Sequence, residues 1–321
     1  RGYEGAIGTY DYCDGDWTDT RKVDWSNPAT VPAMIDVLKF WASKGVDGFR
    51  CDVAGEVPTD FWNWAMDDLR KTHPCMFTLA ENEDKTQELS ESAFDMYYGW
   101  TLHHLMNNVA QGKSTVNDLW KYFADADTLR PEAIRMNFTS NHDENSWNGT
   151  EYERMGEATH LFAAFTYVVP GMPMIYTGQP SGNHHRLAFF EKDTIDRVEN
   201  APEWEMYRTL NAFRKANRAL FSNEKGAPML RLEADNEAIF ACVRQHVCAC
   251  DANNNKKCNK QQCQKANTVV AIMNMSAEPQ TVTIQLGNYA GDYTCICGKQ
   301  ITLGETETLT LNPWEYRLMS K

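Results

Sequence analysis

Four short apolar runs in this chain end in acidic or polar residues, and they end at a regular interval. The stretch GVDGFRCD closes at Asp52, CMFTLA runs up to Glu81, Ile134 to Ser140 leads into Asn141, His142, Asp143 and Glu144, and Met172 to Tyr176 gives way to Gly178. A β-strand with its crossover helix takes about 30 residues. The step from 52 to 81 is one such unit, and the step from 81 to 143 is two, with the run Ala93 to Trp100 as the strand between. The step from 143 to 178 is one again. Helix-period segments fill the gaps. One opens at Thr30 with a Thr cap and Pro32 in its first turn, a second opens near Pro58 and Thr59 and stops before His73-Pro74, and others cover Leu102 to about Ala110 and Ala158 to Val168. This alternation predicts parallel strands with helices outside. Carboxylates then lie at the carboxyl ends of the strands, where the sites of βα barrels are built.

The first run carries the most chemistry. Side chains alternate across a strand, so Arg50 and Asp52 share one face while Phe49 and Cys51 take the other. A guanidinium held against a carboxylate keeps that carboxylate ionised at neutral pH, which suits a nucleophile. Cys51 is expected to act as a small hydrophobe packed on an outer helix.

At 321 residues and 42% hydrophobic content, the chain has material for two domains. After a helix from about Glu203 to Leu220 the texture changes to short alternating stretches: Ala238–Val243, Thr268–Met275, Thr281–Leu286, Tyr293–Cys297, Thr306–Leu311 and Glu315–Met319. Residues 1–221 are thus expected to be barrel and 222–321 a small antiparallel β-sandwich. The polar segment Asp251 to Asn267 is expected as an exposed hairpin loop. A net charge of -13 argues against nucleic acid and anionic membranes as partners, and an uncharged substrate fits better. No stretch of about 18 apolar residues offers a transmembrane segment, and no signal-peptide pattern opens the chain. The chain starts at Arg1, so any targeting segment is expected upstream. Seven cysteines (Cys242, Cys248, Cys250, Cys258, Cys263, Cys295 and Cys297) follow residue 240, which suggests local disulfides or free thiols and favours a secreted or periplasmic location. A zinc knot from Cys248, Cys250, Cys258 and Cys263 has a poor spacing. The acidic stretch Asp14 to Asp19 lacks the glycine and distal glutamate of an EF-hand, so a solvated turn is expected, and no metal ligand is assigned.

Several carboxylates at one barrel mouth, with no metal motif among them, suggest glycoside hydrolysis, which needs one carboxylate to attack and one carboxylic acid to protonate the leaving oxygen. Asp52 suits attack, and Glu81 suits proton donation if burial and anionic neighbours raise its pKa. Asp143, beside His142, would grip sugar hydroxyls. Trp100 and Trp147 are candidates for stacking on sugar faces, with ordinary packing as the competing role, and Tyr176 and Gln179 are candidates for lining the pocket, with filling of the barrel as the competing role for Tyr176. His103 and His104 lie in a helical run and are expected in structural or surface roles rather than as ligands.

These residues resemble a known family. GFRCD at Gly48 to Asp52, the acid in LAENE at Leu79 to Glu83, SNHDE at Ser140 to Glu144 and GMPMIYTGQ at Gly171 to Gln179 are similar to signature regions of the α-amylase family, glycoside hydrolase family 13. The resemblance spans roughly residues 20 to 320. It implies an α/β fold: a partial TIM (β/α)8 barrel with strands 4 to 8 present, followed by the β-sandwich. It further implies a retaining mechanism on α-1,4-glucosidic bonds of starch or maltooligosaccharides, with Asp52 as nucleophile, Glu81 as general acid and base, Asp143 as transition-state stabiliser, and Arg50 and His142 as subsite residues. Calcium, where the family uses it, would have its ligands mostly in the N-terminal barrel half, which is missing here. Five strands cannot close an eight-stranded barrel. The alternatives are a relative acting on α-1,6 links, sucrose or trehalose, or transferring the glycosyl unit, and a truncated inactive carbohydrate-binding remnant.

Overall fold

The computed structural model describes residues 23–126, 133–195, 197–222, 225–247 and 266–321. The chain forms two compact units. The first runs to Gly99 and resumes with the residues up to Arg135; the second holds Trp100–Ala126 and everything from Met136 on.

The first unit is strand and helix in alternation: α1 (Thr30–Ala42), β1 (Gly48–Cys51), α2 (Thr59–Thr72), β2 (Phe77–Ala80), α3 (Thr86–Leu89) and β3 (Met96–Tyr98). The strands are parallel, with Arg50 opposite Leu79 and Ala80 opposite Tyr97. Gly48 is required here because a Cβ at that position would collide with the Phe77 carbonyl oxygen. Helix α2 buries Phe61, Trp62, Ala65, Met66 and Leu69 on one face, as its 3.6-residue period demands, and stops at His73 before Pro74. Its Arg70 reaches the Ser92 and Ala93 carbonyls and Asp95, fixing the turn into β3. Cys51 is buried in this core, as expected, and burial pushes its thiol up to about 12. The expected Thr cap on α1 is not formed. The Thr30 hydroxyl donates instead to the Asp24 carbonyl at 2.7 Å, while the Thr30 amide donates to the Asn27 carbonyl at 3.0 Å. Among the described residues, β1 pairs only with β2, leaving one sheet edge free.

The second unit begins with α4 (Trp100–Ala110) and α5 (Val116–Ala126), and the chain enters it again within β4 (Ile134–Asn137). Then come α6 (Glu151–Met155), α7 (Thr159–Val168), β5 (Met172–Pro173) and α8 (Pro202–Ala216). Strands β4 and β5 are parallel, with Met136 opposite Met172. The run Met172 to Tyr176 yields only two strand residues, because the Tyr176 amide turns aside to donate to the Gln179 side chain at 2.7 Å. The antiparallel texture expected from residue 222 follows within this unit: β6 (Met229–Arg231), β7 (Glu233–Ala234), β8 (Ile239–His246), β9 (Asn267–Asn274), β10 (Gln280–Gln285), β11 (Gly291–Cys295), β12 (Gln300–Leu303), β13 (Thr306–Leu311) and β14 (Tyr316–Ser320). They form a six-stranded sheet, β12-β11-β14-β9-β8-β6, and a three-stranded sheet, β13-β10-β7. Val243, Val270 and Ile272 from the first pack with Val282, Ile284 and Leu311 from the second. The outer face of the larger sheet shares a core with the helices, Phe240 and Met273 packing with Phe162 and Phe165. Buried Arg244 ties the sheet to the helices, and half-buried Arg214 braces the helix end beside it. Arg244 donates to the Val168, Phe221 and Ala227 carbonyls, and Arg214 to those of Tyr167 and Gly171. Cys242, Cys295 and Cys297 are free thiols, so disulfides are not formed at these three positions. The candidate zinc cysteines Cys248, Cys250, Cys258 and Cys263, nearly all of the 251–267 loop and the acidic Asp14–Asp19 stretch lie outside the described residues.

Candidate active site

In the first unit the ends of β1 and β2 are laced together. The Glu81 amide donates to the Cys51 carbonyl at 2.9 Å and the Ala54 amide to the Glu81 carbonyl at 3.2 Å, so Asp52 and Glu81 emerge side by side. Arg50 joins them. Its Nη1 pairs with Asp52 Oδ1, its Nη2 lies 3.1 Å from Glu81 Oε2, and its Nε donates to the Tyr98 hydroxyl at 3.1 Å. Tyr98 also places its ring 5.4 Å from the guanidinium carbon. Burial weakens the Arg50 cation, but Tyr98, Glu81 and Asp52 outweigh that and raise its pKa.

The two carboxyls differ in exposure, and that sets their chemistry. Asp52 is 74% exposed and Glu81 only 14%. Burial raises the Glu81 carboxyl to about 7; the Val53 amide and Arg50 pull it down, while the charge of Asp52 and a hydrogen bond with it push it up. A carboxyl that still holds its proton near neutral pH can donate it. The Val53 amide reaches Glu81 Oε2 at 2.9 Å from a backbone with φ of 43°, the left-handed region that a β-branched residue rarely adopts. Such strain persists only where neighbours over-determine it, and here it aims a donor at the Glu81 carboxyl.

The second unit carries the SNHDE residues. Asn141 is buried and its Oδ1 accepts the Glu144 amide at 2.8 Å, starting a single π-helical turn, Glu144–Asn148. Asp143 lies before that turn with His142 Nε2 3.5 Å from its Oδ2. Burial raises the Tyr176 phenol, and the charges of Asp143 and Glu151 add to it. Glu144 turns inward. Its Oε2 is 3.0 Å from His103 Nε2, and Arg154 lies at 4.0 Å. Burial pushes the Glu144 carboxyl up, but His103, Arg154 and Asn148 overcome it and hold it at about 2. Burial pushes the His103 imidazole down. Its other nitrogen faces the Phe138 carbonyl at 3.1 Å, while the Asn107 amide nitrogen lies 3.2 Å from Nε2, so both ring nitrogens are held by the protein. His103 is therefore structural, as expected. Gln179, a pocket candidate by position, is buried and spends its amide on Thr139, Glu151 and Tyr176. Trp100 stacks on His104, with ring centroids 6.0 Å apart, and meets Phe138 edge-on.

The structure thus brings Arg50, Asp52 and Glu81 together in one unit, and His142, Asp143 and Tyr176 in the other. Tyr98 and Val53 were missed from sequence. Tyr98 had a signal, since it ends a strand as Asp52 and Glu81 follow theirs; Val53 had none, because nothing in a valine announces positive φ. Among the described residues no three His, Cys, Asp or Glu side chains gather as a metal site.

Strand-end carboxylates on a parallel α/β framework place the molecule among barrel enzymes built on that plan. Residues 8–274 match the family model for the α-amylase catalytic domain, and the chain belongs to the α-amylase family. The α-amylase MalA of Haloarcula japonica is 27% identical over 260 residues, 81% of this chain and 36% of MalA. Neopullulanase 2 of Thermoactinomyces vulgaris is 24% identical over 318 residues, 92% of this chain and 48% of that protein. The chain therefore spans about a third to a half of the length of these curated relatives. Among solved structures, the maltogenic α-amylase AmyB from Thermotoga neapolitana superposes with a TM-score of 0.75 at 20% identity, covering 97% of this chain and 71% of AmyB. That likeness carries the fold: the α-amylase barrel plan with a β-rich C-terminal region. Among the described residues no helix is long and apolar enough to cross a membrane.

Proposed function

We propose that the chain is the C-terminal part of a retaining glycoside hydrolase that cleaves α-1,4-glucosidic bonds in starch or maltooligosaccharides. In this reading β1 to β5 are the fourth to eighth strands of the barrel, and a longer polypeptide supplies the others. The observation that carries it is the single guanidinium of Arg50 shared by an exposed Asp52 and a buried Glu81. Two carboxyls bridged by one cation leave little room for the water of an inverting site, which needs about 6.5 to 9.5 Å, and so favour double displacement. Glu81, still protonated near neutral pH, gives its proton to the glycosidic oxygen as Asp52 attacks the anomeric carbon. The leaving sugar departs with that proton. Glu81, now the base, takes a proton from water, whose oxygen attacks the anomeric carbon and releases Asp52. Asp143 and His142 are assigned to sugar hydroxyls on the strength of the SNHDE motif. Calcium is given no step.

The test is hydrolysis of starch, isomaltose and sucrose by the natural polypeptide, with the anomer of the first product read by NMR. Release of the α-anomer from starch supports the reading. Release of the β-anomer, or turnover of isomaltose or sucrose alone, sinks it.

A further inference from the structure

The second unit exposes three aromatic rings at one place. Trp147 is 56% exposed, Phe189 39% and Phe190 68%. The Trp147 and Phe189 ring centroids lie 4.9 Å apart, Phe189 and Phe190 4.9 Å, and Trp147 and Phe190 6.0 Å. Rings so close could bury one another's faces in a stack. They do not: they incline at 44°, 79° and 68°, which leaves a faceted apolar surface open to water. Clustered exposed aromatic area of this kind marks an interaction surface.

The backbone beneath the rings is built to hold them out. Trp147 sits on the π-helical turn, a rare geometry, anchored by the buried Glu144 and by Asn148, whose Nδ2 donates to Glu144 Oε1 at 3.0 Å. The loop bearing Phe189 and Phe190 is fastened to the same turn by Asn145. That buried side chain accepts the Leu187 amide at 2.8 Å and donates to the His185 carbonyl at 3.3 Å. Asp193 closes the loop, accepting the Ala188 amide at 2.8 Å and pairing with His185 at 2.8 Å. The three rings are thus fixed before anything binds, which lowers the entropy lost on binding. Phe189 also lies nearly parallel to the His142 ring, at 6.3 Å and 20°, so the surface runs directly into the His142–Asp143 pair.

We propose that Trp147, Phe189 and Phe190 form a stacking platform for glucosyl rings of an extended α-glucan, continuous with His142. A pyranose ring presents an apolar face of C–H groups, which packs on an aromatic ring, and hydroxyls around its rim, which remain hydrated. Facets inclined to one another suit a chain whose successive rings turn. A second copy of this protein fits the patch poorly, because three partly exposed rings offer only on the order of 300 Å², against about 800 Å² per partner in a stable interface. The proposal rests on the glucan-hydrolase reading and adds to it a determinant of preferred chain length.

The experiment is calorimetric titration of maltoheptaose and maltose into the natural polypeptide carrying Glu81→Gln to stop turnover, and into the same protein with Trp147→Ala, Phe190→Ala or Phe190→Leu added. Both alanine variants should weaken maltoheptaose by roughly 10-fold, and more than they weaken maltose. Phe190→Leu keeps apolar bulk but has no ring face, and should weaken it nearly as much. Phe190 is so exposed that its variants should melt at the parent temperature. The platform is overturned if the parent binds maltoheptaose and all three variants bind it within twofold as tightly. It is equally overturned if affinity is unchanged while Phe190→Ala converts a dimer to a monomer in sedimentation. If the Glu81→Gln parent binds no maltooligosaccharide and the wild-type protein turns none over, the glucan reading itself fails and the platform falls with it.

Discussion

Glu81 should destabilise the protein at the pH where it works, and removing its charge should make the fold stronger. Its carboxyl is moved from an ordinary 4.5 to about 7, mainly by burial. Each unit of pKa is worth about 1.4 kcal/mol, so ionising Glu81 costs the folded state about 3 kcal/mol relative to the unfolded chain. The folded pKa is the higher one. The stabilising difference is therefore fully present below 4.5, is lost as pH rises towards 7, and is gone above it. Glutamine cannot ionise and does not suffer this loss. It can still accept the Val53 amide, and the attraction to Arg50 that it gives up is already counted in the net shift to about 7. Glu81→Gln should thus gain about 2 to 3 kcal/mol over wild type at pH 8 and gain nothing at pH 4.5. Urea unfolding followed by tryptophan fluorescence, repeated at half-unit steps of pH, reads the difference directly. A stability difference that stays flat with pH, or that favours wild type increasingly as pH rises, refutes the buried, proton-holding Glu81 on which the proposed chemistry depends.

The same carboxyl should set the alkaline limb of kcat/KM near pH 7. Arg50→Gln removes a charge that lowers the Glu81 pKa, so it should shift that limb to higher pH while cutting the rate, as a stopped assay across pH 5 to 9 would detect. Asp52→Asn and Glu81→Gln should each reduce kcat at least about 1,000-fold with maltooligosaccharide affinity retained, and substantial activity in either would defeat the assignment. Glu144→Ala leaves His103 and Arg154 facing each other in a buried site and should cost about 3 to 5 kcal/mol in thermal or urea unfolding. Among the described cysteines, Cys75 and Cys297 should label rapidly with a maleimide. Cys51 and Cys242, buried and pushed to about 12, should label only after unfolding, as peptide mapping would show.

What sequence revealed about this fold was what local period and spacing encode. Asp52 and Glu81 were legible because a strand end and a 30-residue unit are short-range patterns. The helix Val116–Ala126 was also encoded locally, yet overlooked: Thr115 and Asp118 form a T-x-x-D start signal, and the Asp118 carboxylate accepts the Thr115 amide at 2.7 Å. Other features depend on partners far away in the chain. Gln179 follows a signature segment like a pocket residue, but its partner Thr139 lies 40 positions earlier, and only folding brings the two into contact. Phe189 and Phe190 read as a bare apolar pair. Their meaning depends on Asn145, which fastens their loop to a turn no sequence period announces. Strands β6, β7 and β12 were missed because each is too short to show alternation.

Arg244 has a consequence for anyone who would cut this molecule. Its guanidinium, borne on the chain beyond residue 220, grips the Val168 carbonyl of a helix, and Phe240 beds its ring among phenylalanines that arrived 75 or so positions sooner. Severing the polypeptide at the change of texture would strand that cation and strip an oily floor from each piece. The trailing sheets are masonry rather than an annex: grafts from cousins should succeed only when the facing helices travel with them.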